Sequence, residues 1–437
     1  MKAGVTLVAA IALVSCSALA SAQKSGVLDA AASDPVKMGW MQGTPPPADK
    51  TIGFEDGGYL TFPKTRWSFS NWRQFMRSVP LLRGTEPIHN FPRAERADID
   101  ALTFTPIGSD KPMSWKESLA ANYTDGIVVL HKGRIVFERY FGVTNAQTQH
   151  IAYSVTKSYV GTIAASLVAE GKLDPQARVS KYVPELTQSG FGNATVRQVM
   201  DMTTGVLFNE LYDDINSDIA RYSMAGGGLP RPAGYKGPEG FLPFLQTVGH
   251  KGEHGERFTY RTANTDVLGW IVARAGGKPL RDQIETRFWS RLGMDQDAAI
   301  AVDSQGTVFG GGGLMPTLRD MARFGEMMRL GGKWKGKQIV PAAAIADIVK
   351  GGGKAEFAKN GVYPTLPGWS YRNQWWVSHN AHGAYMARGI HGQAIYIDPK
   401  AQMVIARFAS HPLAGNVNFD PTSIPAYHAL ALHLMRK

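Results

Sequence analysis

The 437-residue chain has one cysteine, Cys16, and that scarcity removes several chemistries at once. No intrachain disulfide, cysteine zinc cluster or catalytic thiol can be built from it. After the first 22 residues no apolar run reaches the roughly 18 residues that a membrane-spanning helix needs. Lys and Arg outnumber Asp and Glu by 47 to 36, a formal charge of +11. The basic residues form no long block, so the surplus is not a nucleic-acid footprint. There is no G-x-S-x-G elbow, which leaves an α/β-hydrolase reading unsupported. There is no H-E-x-x-H, and "GGGGLM" lacks the Lys-Ser/Thr of a phosphate loop. The 11 histidines are scattered. His254 in "GEHGE" has no partner at metal spacing, and His428 and His433 read as surface residues of a terminal helix. The expectation is a protein with no metal and no organic cofactor. Internal repeats and low-complexity tracts are absent as well.

What is present begins with a leader. "MKAGVTLVAAIALVSCSALASAQKS" has one early basic residue, an uncharged apolar run and small residues at its end, the pattern of a secretory signal. Ala20-Ser21-Ala22 suits cleavage and would leave Gln23 first. Leu13-Val14-Ser15-Cys16 also resembles a lipoprotein box, which would make Cys16 a lipid anchor. The expectation is soluble export, periplasmic or secreted, with membrane association only if Cys16 is lipidated.

Residues 23–110 read as an irregular extension with a linker, "GTPPPADKT", and an aromatic stretch, "RWSFSNWRQF". "DGIVVLHKGRIVFERYFG" then predicts a β-hairpin around Lys132-Gly133. Val160, Ile163, Ala164, Leu167 and Val168 recur at helical spacing up to Gly171. "TVRQVMDMTTGV" predicts a helix capped by Thr195 and closed at Gly205, and residues 208–240 a long loop or lid. "TANTDVLGWIVARAGG" and "PTLRDMARFGEMMRLGG" predict further helices. "QAIYIDPKAQMVIARFA" predicts two strands around Asp398-Pro399, with a last helix from about Pro425. Strands at both ends and helices between them predict an α/β fold: an antiparallel sheet flanked by helices, with an inserted mainly helical subdomain.

The chemistry starts at "IAYSVTKSYVGTIAASLVAEGKL". On a helix, positions i and i+3 lie on one face with Cβ atoms about 5–6 Å apart, so Lys157 can reach Ser154. A serine hydroxyl needs such a base to become a nucleophile, and a lysine serves only when burial or a neighbouring charge keeps it neutral. S-x-x-K alone is weak evidence, since Ser21 and Lys24 repeat it at the leader's end. Two more segments add to it. In "GERFTYRTANTDVLGWIVARAGG", Tyr260 precedes a helix and could carry a proton to a leaving group. In "MARGIHGQAIYIDPK", glycine before a strand lets the backbone approach a ligand and lend an N–H. Taken singly, a core aromatic and an ordinary β-turn explain these two segments as well.

Together and in this order, Ser154-Val-Thr-Lys157, Phe258-Thr-Tyr260 with Asn264 and Leu268-Gly269, and the glycine-bearing late strand resemble the serine β-lactamase-related hydrolases. "GKLDPQARVSKYVPEL", "VRQVMDMTTGV" and "GGGGLMPTLRDMARFG" are similar to that superfamily's pattern over about residues 120–410. "DMTTGVLFNELY" and "RGIHGQAIYIDP" resemble its 6-aminohexanoate-dimer hydrolase branch. The resemblance implies a serine β-lactamase-like fold over 111–437, with the α/β part at about 111–165 and 290–437 and the helical subdomain at about 166–289. It implies Ser154 as nucleophile, Lys157 as base and Tyr260 as acid/base partner. It further implies an oxyanion hole from the N–H groups of Ser154 and Ile390, after Gly389, and Tyr212 as a loop tyrosine that closes over the substrate amide. Asn264 and His391 are candidate substrate contacts. Two departures stand out: Thr262 where Tyr-x-Asn has its asparagine, and Ala387-Arg388-Gly389 where lactam-processing members have K-T-G. They argue against antibiotic hydrolysis and leave Arg388 and His391 as candidate replacements. The expected activity is hydrolysis of small esters or linear amides. A D-amino-acid peptidase or β-lactamase acting on cell-wall-like material is the alternative enzyme. A sensor that acylates once without turnover is the alternative from another class.

Overall fold

The computed structural model describes residues 26–436; the leader, Cys16, the Ala20-Ser21-Ala22 site and the Ser21–Lys24 spacing lie outside the described residues. The expected hairpin forms from β1 (Thr124–His131) and β2 (Arg134–Tyr140). Its turn is tight because Lys132 and Gly133 both take left-handed backbone, φ 52° and 71°, as a two-residue hairpin requires. Late in the chain come β3 (Ser370–Arg372), β4 (Trp375–Val377), β5 (Tyr385–Arg388), β6 (Ala394–Asp398) and β7 (Met403–Ala409). All seven join one antiparallel sheet in the order β3-β4-β5-β6-β7-β1-β2. The sheet is thus closed by strands from distant parts of the chain, as the strand–helix–strand order suggested.

Both faces of this sheet are covered, which explains why its central strands are apolar almost throughout. Side chains alternate across a strand. Val128, Leu130, Ile395, Ile397, Val404 and Ala406 enter one core, and Ile127, Val129, Tyr396, Met403 and Ile405 enter another. The first core is shared with α1 (Val155–Ala169), α2 (Val196–Met200), α3 (Asp218–Gly226), α4 (Phe241–Gln246), α5 (Thr262–Gly276) and α6 (Leu318–Arg329). The second is closed by α7 (Asp420–Met435), through Tyr427, Leu430, Ala431 and Leu434. Among the described residues no helix is long and apolar enough to cross a membrane.

Helix α1 is buried on every side from Val155 to Leu167, so it is a central helix and not one with a wet face. Two of its hydroxyls are satisfied inside the protein: Ser158 donates to the Gln374 carbonyl at 2.7 Å, and Thr162 accepts from the Trp375 indole at 3.0 Å. Gly161 is required by contact, because a Cβ there would lie 2.1 Å from the Asn373 carbonyl oxygen.

Three expectations need correcting. The helix after Thr195 has the capping box, with Gln198 answering Thr195, but it ends at Met200, well before Gly205. Residues 208–240 are not one long loop: Ser217 caps α3 inside them, accepting from the Ala220 N–H, and Gly227 at φ 79° ends it. The last helix starts at Asp420 with Pro425 inside it. Pro421 fits its first turn, where an N–H has no intrahelical partner.

The extension packs onto the domain through an aromatic core. Trp40, Tyr59, Trp67, Phe69 and Trp72 gather around Ile151, Ala299 and Met315. Arg66 anchors it in the interior, donating to Asp125 at 2.7 Å and to the Tyr123 carbonyl at 2.8 Å.

Candidate active site

Ser154 is the N-cap of α1, yet its side chain makes no capping bond. Serine is favoured at N-caps because its oxygen can take a free helix N–H. Here the oxygen turns to Lys157 instead, 2.9 Å from Nζ. Both side chains are nearly sealed from solvent, Ser154 at 7% exposure and Lys157 at 1%. Tyr153, the residue before Ser154, takes left-handed backbone with φ 43°, a conformation that costs on the order of 1–3 kcal/mol for a bulky residue. Its ring is held by Phe69 and Trp72 of the extension, at 5.1 and 5.5 Å between centroids. The extension therefore braces the turn that presents Ser154, a role its sequence did not reveal.

The partners of Lys157 determine what it can do. Nζ lies 3.1 Å from Thr262 Oγ1 and also contacts the Gly311 carbonyl. A carbonyl only accepts. The Thr262 hydroxyl spends its proton on Glu210, 2.6 Å away, so it too must accept from Lys157. A neutral amine has two hydrogens and one lone pair. As an ammonium, Lys157 donates its third hydrogen to Ser154 Oγ; once deprotonated, with both hydrogens on Gly311 and Thr262, it turns its lone pair to the same oxygen. Burial, the largest influence, pulls the Lys157 pKa down to about 8, against the opposing charges of Glu210 and Asp266. Asp266 is pushed up to about 7, again chiefly by burial. It accepts from the Gly311 N–H at 3.0 Å and from Tyr222 at 2.9 Å, which holds the Gly311 peptide against Lys157. A Cβ on Gly311 would meet Thr262 at 2.4 Å. The run "GGGGLM", unsuited to phosphate, thus forms one wall of this site.

Tyr260 lies across from this pair, with Lys157 Nζ 5.2 Å from its ring centre. The ring stacks on Trp376 at 5.7 Å. Burial first, then Glu210, holds the phenol well above its usual pKa, while Ser154 acts in the opposite direction. Tyr260 is accordingly a protonated donor at neutral pH.

Gly389 brings the end of β5 against the approach to Ser154: a Cβ there would lie 2.7 Å from the Ala152 carbonyl oxygen. Among the described residues, no backbone acceptor takes the N–H of Ser154 or of Ile390. Both can therefore serve a developing oxyanion. His391 has φ 60° and donates through Nδ1 to the His411 carbonyl at 2.6 Å. Burial takes its pKa down to about 4, so it is neutral, with Nε2 as its acceptor. It packs 5.8 Å from the Tyr153 ring.

Other candidates fall elsewhere. Asn264 is fully buried and accepts from Thr204 at 2.8 Å, so its amide oxygen is already engaged. Arg388, the candidate for the missing K-T-G lysine, is buried and paired with Asp420, and its guanidinium lies 4.8 Å from the Trp376 ring centre, so it is not presented as an exposed cation. His254 is engaged by the Gly205 N–H and Asn193. Tyr212 is 42% exposed, yet its hydroxyl turns inward and donates to Glu210. Burial and then Glu210 raise its pKa well above the ordinary value.

Glu210 is the residue that sequence reasoning passed over. It takes the Thr262 N–H at 2.5 Å and the hydroxyls of Thr262 and Tyr212, so it joins the loop to the lysine's partners. It reads on paper as one more acid among "NELYDD". Only its place two residues before Tyr212 hinted at more. Its negative charge favours the protonated lysine, whereas a general base must be neutral. The kcat/KM of Glu210→Gln is therefore expected to begin its rise with pH at lower pH than the wild type. A pH–rate profile on a neutral ester checks this, and a limb that stays put or moves up would show that Glu210 does not act on Lys157.

A buried serine–lysine pair on a central helix, a tyrosine across from it and two free N–H groups define a serine hydrolase site. A family model for beta-lactamases matches residues 120–423, and the chain belongs to that family. A 6-aminohexanoate-dimer hydrolase from Paenarthrobacter ureafaciens is 33% identical over 350 residues, 80% of this chain and 86% of the relative. A Bacillus anthracis structure provisionally assigned as a 6-aminohexanoate-dimer hydrolase superposes with a TM-score of 0.81. It is 31% identical, covering 89% of this chain and 99% of the other. A family VIII carboxylesterase shares the fold, with a TM-score of 0.52 and 17% identity over 72% of this chain and 96% of its own.

Proposed function

We infer that this enzyme hydrolyses small linear amides, and esters of similar shape, through an acyl-enzyme on Ser154. The observation that carries this is the partner set of Lys157, which leaves the lone pair of the deprotonated amine only Ser154 to face. Lys157 takes the Ser154 proton as Oγ bonds to the substrate carbonyl carbon. The carbonyl electrons move onto oxygen, beside the N–H groups of Ser154 and Ile390. The tetrahedral adduct then expels its nitrogen, which takes a proton from Tyr260 as Lys157 replenishes the phenol. Water repeats the sequence on the acyl-enzyme, releases the acid and restores Ser154.

The amide reading is supported by the Paenarthrobacter relative, a 6-aminohexanoate-dimer hydrolase. It is also supported by Leu207, Leu211 and Ile215, at 51%, 54% and 60% exposure. These give the Tyr212 segment an apolar surface suited to methylene chains. The engagement of Arg388 by Asp420 removes a cation that a β-lactam carboxylate would need. A panel of p-nitrophenyl esters, aminohexanoate dimers, D-Ala-D-Ala peptides and nitrocefin tests the reading. Nitrocefin turned over faster than the linear amides would overturn it, as would one product per protein and no more. Export is part of the same proposal, supported by the leader pattern at 1–22. Mass spectrometry of the mature chain should find Gln23 first, and a lipid on Cys16 would contradict soluble export.

Tyr212 separates amides from esters. An amide nitrogen must be protonated as it leaves, whereas an alcohol leaves more readily without that help. Turning from Glu210 to the substrate, the Tyr212 hydroxyl could align this transfer while its loop excludes water. Tyr212→Phe is expected to lower amide turnover about tenfold, the scale of a lost hydrogen bond, and to change a matched ester far less. Equal losses on both would show that Tyr212 only packs the loop.

A further inference from the structure

We propose that His382, Asp398 and His428 form a binding site for one zinc-like divalent cation, at the end of the sheet away from Ser154. The position follows from the strands. Ala394 of β6 pairs with Arg388 beside the catalytic turn, so Asp398, where β6 ends, lies at the opposite end of the strand. His382 precedes β5 and His428 projects from α7, so three separate elements converge.

The donors are already assembled. One ligand atom from each residue lies within 4.8 Å of the other two. His382 Nδ1 is 2.8 Å from Asp398 Oδ2, and the other carboxylate oxygen is fixed by the Ala401 N–H at 2.9 Å. The His428 ring lies 5.0 Å from that of His382. His428 Nδ1 is shut off from solvent and has no hydrogen-bond partner. A buried polar atom left unpartnered is rare and costly. A cation held through Nδ1 would supply the partner that protein atoms do not.

Two imidazoles and a carboxylate are a zinc donor set, with a fourth position open to water. Two ligands bound about 2.0–2.1 Å from a tetrahedral ion stand about 3.3 Å apart. The His382–Asp398 pair would therefore open by only about half an ångström as the ion replaces the bridging proton. The nitrogen majority disfavours magnesium and calcium, which take oxygen ligands. Bound there, the ion would tie α7 to two turns of the sheet and stabilise the folded state by mass action. No sequence spacing announces the site, because its residues come from three distant segments.

The test is calorimetric titration of untagged, chelator-treated protein with zinc chloride, with thermal melts run beside it. One zinc per chain is expected, with a Tm that rises with zinc concentration and no matching response to magnesium or calcium. His382→Ala and His428→Ala should each weaken binding at least tenfold, and His428→Gln should keep the helix packing while losing the ion. Ester turnover should be unchanged in all three. Absence of stoichiometric zinc binding by the wild type, or equal binding by a His382→Ala/His428→Ala double variant, would overturn the proposal. In that case the His382–Asp398 pair is a structural hydrogen bond.

Discussion

Lys157→Ala is expected to abolish turnover of ester and amide alike, by at least about 10⁴-fold, the scale seen when one member of a nucleophile–base unit is removed. Ser154→Ala should do the same, and the double variant should lose little more, because the two act as one unit. The argument rests on the directed lone pair: in the deprotonated amine Gly311 and Thr262 occupy both hydrogens, so the lone pair is placed to take the Ser154 proton. The two variants differ in a second measurement. Ser154→Ala removes one oxygen and should fold normally. Lys157→Ala leaves a cavity and strands Asp266, whose pKa of about 7 already reflects burial. The lysine's charge holds that pKa down, so its loss should push Asp266 up and leave the carboxyl neutral at pH 7. Active-site labelling with a fluorophosphonate, read by intact mass, should mark the wild type at Ser154 and neither variant. A Lys157→Ala enzyme with near-normal esterase activity would remove the lysine from the mechanism.

The second large effect is expected at Tyr260. Tyr260→Phe keeps the ring that stacks on Trp376 and faces Lys157 and removes only the hydroxyl. General acid–base catalysis contributes about 10²–10⁴-fold, and kcat on an amide should fall within that range. Because burial holds the phenol well above its usual pKa, it is protonated throughout the working range and acts as a donor. An activated ester such as a p-nitrophenyl ester has a leaving group that needs no proton, so its acylation should suffer much less. Pre-steady-state kinetics on the two substrates would check this. A loss equal for both would assign Tyr260 to positioning Ser154 and not to proton delivery.

Much of the fold was legible because its signals are local. The β1–β2 hairpin could be read from two β-rich runs around Lys132-Gly133, and α6 from Thr317, whose hydroxyl accepts from the Asp320 N–H. The Ser154–Lys157 spacing could be read because helical geometry places i and i+3 on one face whatever surrounds them. Errors came where burial or long-range contact decides. Residues 208–240 carry so much glycine, proline and acid that the helix Asp218–Gly226 has little local support, and its stability comes from Ile219, Tyr222 and Ala225 in the shared core. Asn264 and Arg388 looked available because sequence does not show that Thr204 and Asp420 already hold them. His428 read as a surface residue because nothing local brings His382 and Asp398 to it.

By itself, the sequence placed most of the elements and drew the sheet's strands from both ends of the domain, and its resemblance to a family singled out Ser154, Lys157 and Tyr260 as candidates. The elements rest on spacing or capping within short segments, and the candidates on three such segments occurring in one order. Tertiary structure alone decided the state of the lysine. Its lowered pKa comes from burial, and its lone pair is aimed by Gly311, Thr262 and Glu210, which lie far from it in sequence. The brace on Tyr153 by Phe69 and Trp72 is likewise tertiary. A strained turn holds only when side chains from elsewhere over-determine it, and no local pattern records which ones will arrive.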